Sequence, residues 1–548
     1  MRMATIKQQI ANAPSPSSAG RSHPASVQVV GRPDWTAGRF RGFFPWSSRI
    51  SLSPLWAGLV LGVAAIALMQ SHPNASLALI ALWVGLLMFN ADRPLLGSYV
   101  LSPIAFLGIR QMTGLGGGLL LASFSAGFVE SPELRHMLIH GIIGGLAKLA
   151  GAAITFRSGR GLVIPLEDRT YQRDVLRPVV VVGWLLLGYT AMTVIVTLVV
   201  FGGSDRANET VWRVDEAIGW WSWFNLFNNL KYALWVIVPL IWMRSAAIGR
   251  VILIAVGTLL IAPDLLGGGR TALLLPALYV VIGIAMFRPK PFNLDKYVLA
   301  AAIPLVPFIA FWEFYRGSEG FRETRLVNIR ERIEAIPKAW REYKERQEYG
   351  AQEDETKVAG WSAYRYPDPV IYTRTPSDIS FAGWSEWATP QQILIPTFFW
   401  RSKPQLVDGN TIFNRYTNRP AHWTGAGISL NADLYRRFGD IGVPIGNFVI
   451  GLIYGLLLTT VYNWYHRRNA VAGLVAIIFF GAQGNFGLLD NTCNQLMYQW
   501  MYLVPKQFIG ILLFCGIARA ISTFPVLGAN AFAPRPPRVP PAPAVRAA

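Results

Sequence analysis

Residues 178–201 read PVVVVGWLLLGYTAMTVIVTLVVF, a run without a single charged side chain. As an α-helix it is about 36 Å long at ~1.5 Å per residue, enough to cross the ~30 Å hydrocarbon core of a bilayer. Backbone amides in lipid find no water, so a spanning segment must bond internally or close into a barrel, and a run this long and uniformly apolar favours the helix. The pattern recurs on both sides. Apolar runs near 54–70, 75–90, 97–121, 137–155, 178–201, 229–243, 250–264, 271–287, 297–314, 442–464, 471–488 and 503–521 are read as transmembrane helices. The expected fold is an all-α integral membrane protein of about twelve spans. Charge orients it. If the chain starts inside, even-numbered crossings must return to basic connectors. Arg93 follows the second span, Arg157, Arg160, Arg169, Arg173 and Arg177 the fourth, and Arg244 the sixth. Arg288 and Lys290 follow the eighth, and Arg467 and Arg468 the tenth. Both termini are therefore expected in the cytoplasm. Arg110 and the GLGGG run inside 97–121 allow a re-entrant element instead, which would invert everything downstream and break this charge pattern.

Composition agrees. Of 548 residues, 52% are apolar and 15% charged, and mean hydropathy is +0.34, whereas a soluble chain carries about 25% charge. The formal net charge of +19 does not call for nucleic acid, because the basic residues lie in connectors where they set orientation. Residues 1–53, basic and rich in Ser, Pro and Ala, read as a disordered cytoplasmic tail, and 523–548 as a second, Pro-rich one. Spans one to nine occupy 54–314 and spans ten to twelve 441–522. Between them, 315–440 forms a large external loop, too long to be structureless. Within it Leu326, Ile329, Ile333, Ile336, Trp340 and Tyr343 recur at spacings of three and four among Arg, Lys and Glu. That predicts an amphipathic helix, interrupted or restarted at Pro337, packed on the rest of the loop or lying on the membrane surface. Cys493 and Cys515 imply no disulfide framework, since Cys515 lies inside an apolar helix.

No Walker loop, GxGxxG or DxD motif is present, and the first external loop, near QSHPN, carries no carboxylate to hold a metal. Glu133, His136 and His140 share a helix face at a metal-ligand spacing, but helix ends commonly carry such residues and no metal or other cofactor is expected. Arg270 ends the run Asp264-Leu-Leu-Gly-Gly-Gly-Arg270 just outside span eight. Free N–H groups of a Gly-rich turn, a helix N-terminus and a planar guanidinium suit a diphosphate. A snorkelling arginine at a helix end reads equally well. Arg316, in FWEFYRG, has the same two readings at the same external level.

The end of the large loop is the most informative stretch: IPTFFWRSKPQLVDGNTIFNRYTNRP, then HWTGAGISLNADLYRRFGDIGVPIGNFVIGLIYG. Pro396, Trp400, Lys403 and Pro404 come first, then Asn410, Tyr416, Thr424 and Ser429. Asp433, Tyr435, Phe438, Gly439 and Gly442 follow. This order resembles the signature of Wzy-type O-antigen and exopolysaccharide repeat-unit polymerases, and Gly269-Arg270 matches a Gly-Arg that the family places before span eight. Two positions depart: RSKP stands where an acidic residue usually precedes Lys-Pro, and Asp433 where Glu is commoner. Residue by residue, the glycines at 439 and 442 serve a tight turn into span ten, Gly451-x-x-x-Gly455 serves helix packing, and Lys403-Pro404 serves a turn.

The resemblance implies a glycosyltransferase at the periplasmic face of the bacterial inner membrane. It would join oligosaccharide repeat units carried on polyprenyl (undecaprenyl) diphosphate, without a metal and with inversion. Arginines would match the leaving diphosphate, and a carboxylate or imidazole would take the acceptor proton. On this reading Asp433 and His422 are the candidate bases, and Arg270, Arg316, Lys403, Tyr435 and Arg437 the substrate-binding residues. Partners would be the lipid-linked oligosaccharides, the bilayer, a chain-length regulator and other polysaccharide-export proteins. Two rivals share the layout. An O-antigen ligase would carry a His-Asn pair near the loop's end, whereas Asn431-Ala432-Asp433 stands there and His422 precedes Trp423. A transporter or flippase would place its long connection between two six-helix halves, though Arg110 and Lys148 are the kind of intramembrane charge it uses.

Overall fold

The computed structural model describes residues 54–95, 108, 111, 120, 132–156, 164–201, 226–266, 271–287, 333–334, 336–341, 344, 367–395, 400, 402–404, 406–418, 428–483 and 491–523. Among the described residues every regular element is helical. The expected helices at 54–70, 75–90, 137–155, 178–201, 229–243, 250–264, 271–287, 442–464, 471–488 and 503–521 are all present. They are α1 (Pro54–Leu68), α2 (Pro73–Leu95), α3 (Pro132–Thr155), α4 (Arg177–Phe201), α5 (Lys231–Arg244), α6 (Ala247–Leu266) and α7 (Thr271–Phe287), then α11 (Leu430–Asn463), α12 (Ala470–Gln483) and α14 (Val504–Thr523). Spans 97–121 and 297–314 lie outside the described residues, apart from isolated positions in the first. So do residues 1–53 and 524–548, and most of 315–366.

Among the described residues, four helical stretches are long and apolar enough to cross a membrane: Pro132–Thr155, Arg169–Val199, Leu430–Arg468 and Cys493–Ser522. Shorter apolar helices accompany them at Gly58–Leu68, Pro73–Met88, Ala247–Ala262, Leu275–Ile284 and Ala470–Ala482. Their outward faces are apolar. Met192, Ile195 and Val199 on α4, Ile445, Val449, Ile453 and Leu456 on α11, and Ile509, Leu513 and Ile517 on α14 are all exposed, at helical spacings. Water would penalise such stripes and acyl chains would not, so the exposed pattern is that of a membrane protein.

The loop between α7 and α11 contributes three short helices, α8 (Pro367–Arg374), α9 (Pro390–Leu394) and α10 (Gly409–Thr417). The expected amphipathic helix is helical where described, at 333–334, 336–341 and 344, through Pro337. Its apolar positions Ile333 and Trp340 are exposed. The packing divides in two. One buried cluster joins α4, α5, α7, α12 and α14 around Val236, Ile237, Tyr279, Phe479 and Phe480. The other places Ile371 and Tyr372 of α8, Ile412, Phe413 and Tyr416 of α10, and Leu430, Leu434 and Tyr435 of α11 with Met137 and Leu138 of α3.

Among the described residues, α3 and α11 share the most extensive helix–helix contact. A Cβ at Gly151 would press on the Phe448 carbonyl, and one at Gly451 on the Lys148 carbonyl. The two backbones therefore meet with only hydrogens between them, as small residues permit in membranes. Thr155 Oγ1 donates to the Leu452 carbonyl at 2.8 Å, and Thr459 Oγ1 to the Thr155 carbonyl at 2.9 Å, tying the two helices together at the C-terminal end of α3.

One boundary moves. The large loop is expected to end at 440 and span ten to begin near 442, but α11 starts at Leu430, capped by Ser429 Oγ on the Ala432 N–H. Helix 430–438 and helix 440–463 meet at Gly439, whose φ of 68° and ψ of −158° break the helix. Only glycine takes that geometry without strain. The carbonyls left unpaired at the break are met from the loop: the Ala382 N–H donates to Arg436 O at 3.0 Å and the Gly383 N–H to Arg437 O at 3.1 Å. Asn447 Nδ2 donates to Asn431 Oδ1 at 2.8 Å, fastening one arm of the kink to the other.

Candidate functional site

The short arm of α11 is held by charge. Asp433 is fully buried, and both its oxygens are engaged. Oδ1 accepts from Arg436 Nε at 2.7 Å and from Arg437 Nε at 3.1 Å, and Oδ2 accepts from the Cys493 N–H at 2.7 Å. The last bond comes from the first turn of α13 (Cys493–Tyr498), where a carboxylate suits the helix dipole. Arg436 reaches on to Glu386 Oε2 at 2.7 Å, and Glu386 also pairs with Arg415 of α10. Burial works to raise the Glu386 carboxyl, and the Arg436 and Arg415 guanidiniums outweigh it and hold the group below the ordinary glutamate range. Arg437 donates to the Gly383 carbonyl at 3.3 Å and lies over the Trp387 ring at 5.3 Å. Asn494 closes the knot: it accepts from the Ala388 N–H and donates to the carbonyls of Glu386 and Val407.

This geometry places three of the expected site residues in the interior. Asp433, read as a base, has no oxygen facing solvent and serves to anchor two arginines to α13. Arg437, read as a substrate ligand, is as buried as its partner. Tyr435 is buried with its hydroxyl on the Thr375 carbonyl at 3.1 Å. All three residues look inward because the helix arm that carries them is wrapped by the 381–388 loop, an arrangement that local spacing could not disclose. Lys403 behaves as the turn reading expected: its N–H donates to Trp400 O, its Nζ to Ile395 O at 2.9 Å, and burial lowers its ammonium's pKa. His422, Arg270 and Arg316 lie outside the described residues, as does Arg110. Lys148 is buried on α3.

A second polar cluster lies across the break, seven residues on from Asp433. Asp440, the first residue after the break, has an exposed side chain, 70% accessible, and meets both histidines of α3. His136 Nε2 is 2.7 Å and His140 Nε2 3.2 Å from Asp440 Oδ1. His140 Nδ1 is 3.1 Å from the Tyr372 hydroxyl. The rings are walled in: Tyr372 stacks on Tyr435 with centroids 4.6 Å apart, and the His136 ring meets the edge of Tyr435 at 5.0 Å. His140 is 4% exposed and His136 35%, so one imidazole is sealed and the other opens outward beside Asp440.

In neutral rings these contacts put the hydrogen on each Nε2, given to Asp440, and leave His140 Nδ1 to accept from the Tyr372 hydroxyl. His136 Nδ1 is left with a lone pair and a carboxylate behind the ring, the arrangement of an oriented general base. Of the face expected from Glu133, His136 and His140, the two histidines converge, and Asp440 takes the third place instead of Glu133. The i,i+4 histidines were legible in the sequence. Asp440, 304 residues from His136, carried no local signal. No protein-family model, no curated protein and no solved structure matches the chain.

Proposed function

We propose that the chain is a glycosyltransferase that joins polyprenyl-diphosphate-linked oligosaccharide repeat units at the periplasmic face of the bacterial inner membrane, with about twelve crossings and both termini in the cytoplasm. The observation that carries the chemistry is the His136–Asp440 pair between α3 and α11, with no partner at Nδ1 among the described residues. The motif resemblance at 396–442 supports the substrate class. On this reading the acceptor hydroxyl gives its proton to His136 Nδ1 while its oxygen attacks the anomeric carbon of the donor. The carbon–oxygen bond to the diphosphate breaks, and polyprenyl diphosphate leaves with the electron pair. Attack opposite the leaving group inverts the centre. Asp440 holds the ring and offsets the imidazolium charge. Arg270 and Arg316 are the arginines proposed to match the diphosphate, because Arg436 and Arg437 are already neutralised by Asp433 and Glu386. The buried knot around Asp433 keeps the α11 arm, and hence Asp440, in register with α3.

The test is polymer formation by purified protein in vesicles supplied with lipid-linked repeat units, comparing wild type with His136→Gln. Loss of a general base costs about 10²–10⁴-fold in rate, with the amount of folded protein unchanged. Undiminished polymer from His136→Gln removes His136 as the base. In cells lacking the gene, lipid-linked single units should still reach the periplasmic side. Their retention on the cytoplasmic side would point to a transporter, and polymer stranded on its carrier with bare lipid A core to a ligase.

A further inference from the structure

We propose that His136, His140 and Asp440 form a binding site for a divalent transition metal ion of the Zn²⁺ class, and that occupancy switches the base off. Among the described residues this is the one trio of His, Cys, Asp or Glu whose ligand atoms all lie within 4.8 Å of one another. Two histidines at i and i+4 on one helix, with a carboxylate from another, make the nitrogen-rich donor set that Zn²⁺ favours over Mg²⁺ or Ca²⁺. Bonds of ~2.0–2.1 Å in a tetrahedron place ligand atoms about 3.3 Å apart. His140 Nε2 and Asp440 Oδ1, at 3.2 Å, already have that spacing, and His136 Nε2, at 2.7 Å, must withdraw by about 0.6 Å. The exposed Asp440 side chain can yield that distance. With three protein ligands, a fourth position is left for water. Tyr372 supplies the outer contact at His140 Nδ1, the kind of group that orients a ligating imidazole.

Metal binding and base function exclude each other here for a simple reason. Nε2 can bind the ion only after giving up its hydrogen. In His136 that proton moves to Nδ1, which consumes the lone pair. In His140 it moves to Nδ1, which then donates to the Tyr372 oxygen as the hydroxyl turns. No proton leaves the site, and the ion is the only reactant added. The binding rests on the geometry alone; the inhibition rests on the polymerase reading.

The experiment uses full-length protein in detergent, without a polyhistidine tag, stripped with a chelator and titrated with Co²⁺ and then Zn²⁺. One equivalent of Co²⁺ should give the intense visible bands of a tetrahedral ion and be displaced by Zn²⁺. His140→Gln and Asp440→Ala should each weaken binding more than about a hundredfold, and Tyr372→Phe by roughly tenfold. His72→Gln and His466→Gln should leave it unchanged. Burial of the Cys493 thiol against a thiol reagent reports that each variant is folded. Absence of stoichiometric uptake by folded wild-type protein, or uptake surviving His136→Gln/His140→Gln, overturns the site. Zn²⁺ should also suppress polymer formation reversibly. Tight binding without suppression overturns the switch and the base assignment together, while leaving the metal site standing.

Discussion

Replacing Asp433 by asparagine separates an anchor from a catalyst. The carboxylate takes three bonds, at 2.7, 3.1 and 2.7 Å, from two buried guanidiniums and a buried amide. An asparagine keeps one acceptor oxygen but turns an NH₂ toward a donor, either the Cys493 N–H or the arginine pair. Among the described residues, Glu386 is then the one carboxylate left in the knot against Arg415, Arg436 and Arg437. Removing one partner of a buried ion pair costs about 3–5 kcal/mol, or roughly two to three and a half powers of ten in the folding equilibrium. The loss should appear first at α13, whose leading N–H is released. The Cys493 thiol, buried beside that amide, is the natural reporter in a Cys515→Ala background. Asp433→Asn should label with a thiol-reactive fluorophore at a lower temperature than the parent and yield less folded protein. An Asp433→Asn protein with unchanged labelling temperature and yield, but no polymerising activity, would refute the anchoring role and restore Asp433 to the chemistry.

Glu386 is held below its ordinary value in the folded state, so between the two values the unfolded chain binds more protons and stability rises with pH. The melting temperature of wild type should exceed that of Glu386→Gln at neutral pH, and the gap should close as pH falls through the depressed value; a gap independent of pH would mean that the pairing with Arg436 and Arg415 contributes nothing. Gly151→Leu should abolish folded protein, because its side chain meets the α11 backbone, while Gly62→Leu, with open space around it, should be tolerated. Expression followed by size-exclusion chromatography decides, and equal tolerance would mean α3 and α11 are not in backbone contact. Trp384→Cys, placed on an exposed indole in a cysteine-free background, should react with an impermeant reagent from the periplasmic side of intact spheroplasts. Labelling only after lysis would reverse the orientation and remove the proposed site from its substrates.

How much is legible in the chain follows from what each signal depends on. Hydrophobic run length is a local property, so helices stand where the apolar runs of 54–70 through 503–521 place them, wherever the structure describes those residues. Glycine and proline act on their own backbone, so a turn at Gly439 was also foreseeable, although its form was not: a kink within one helix, with the loop at Ala382 and Gly383 capping the break. The amphipathic period at 333–344 is right for helix, yet nothing in it tells whether Ile333 and Trp340 are covered. Side-chain roles are the least accessible. Asp433 and Asp440 are both short acids in one polar run, separated by seven positions, and sequence alone favours the first. Tertiary structure gives the two different surroundings, because the chain breaks helix at Gly439, with φ of 68°, between the two arms of α11. One carboxylate is swung inward onto Arg436, Arg437 and the start of α13, and the other outward onto a pair of histidines 304 and 300 residues earlier in the chain. What a residue can do chemically depends on which side of such a break it faces, and that depends on contacts made across the whole fold.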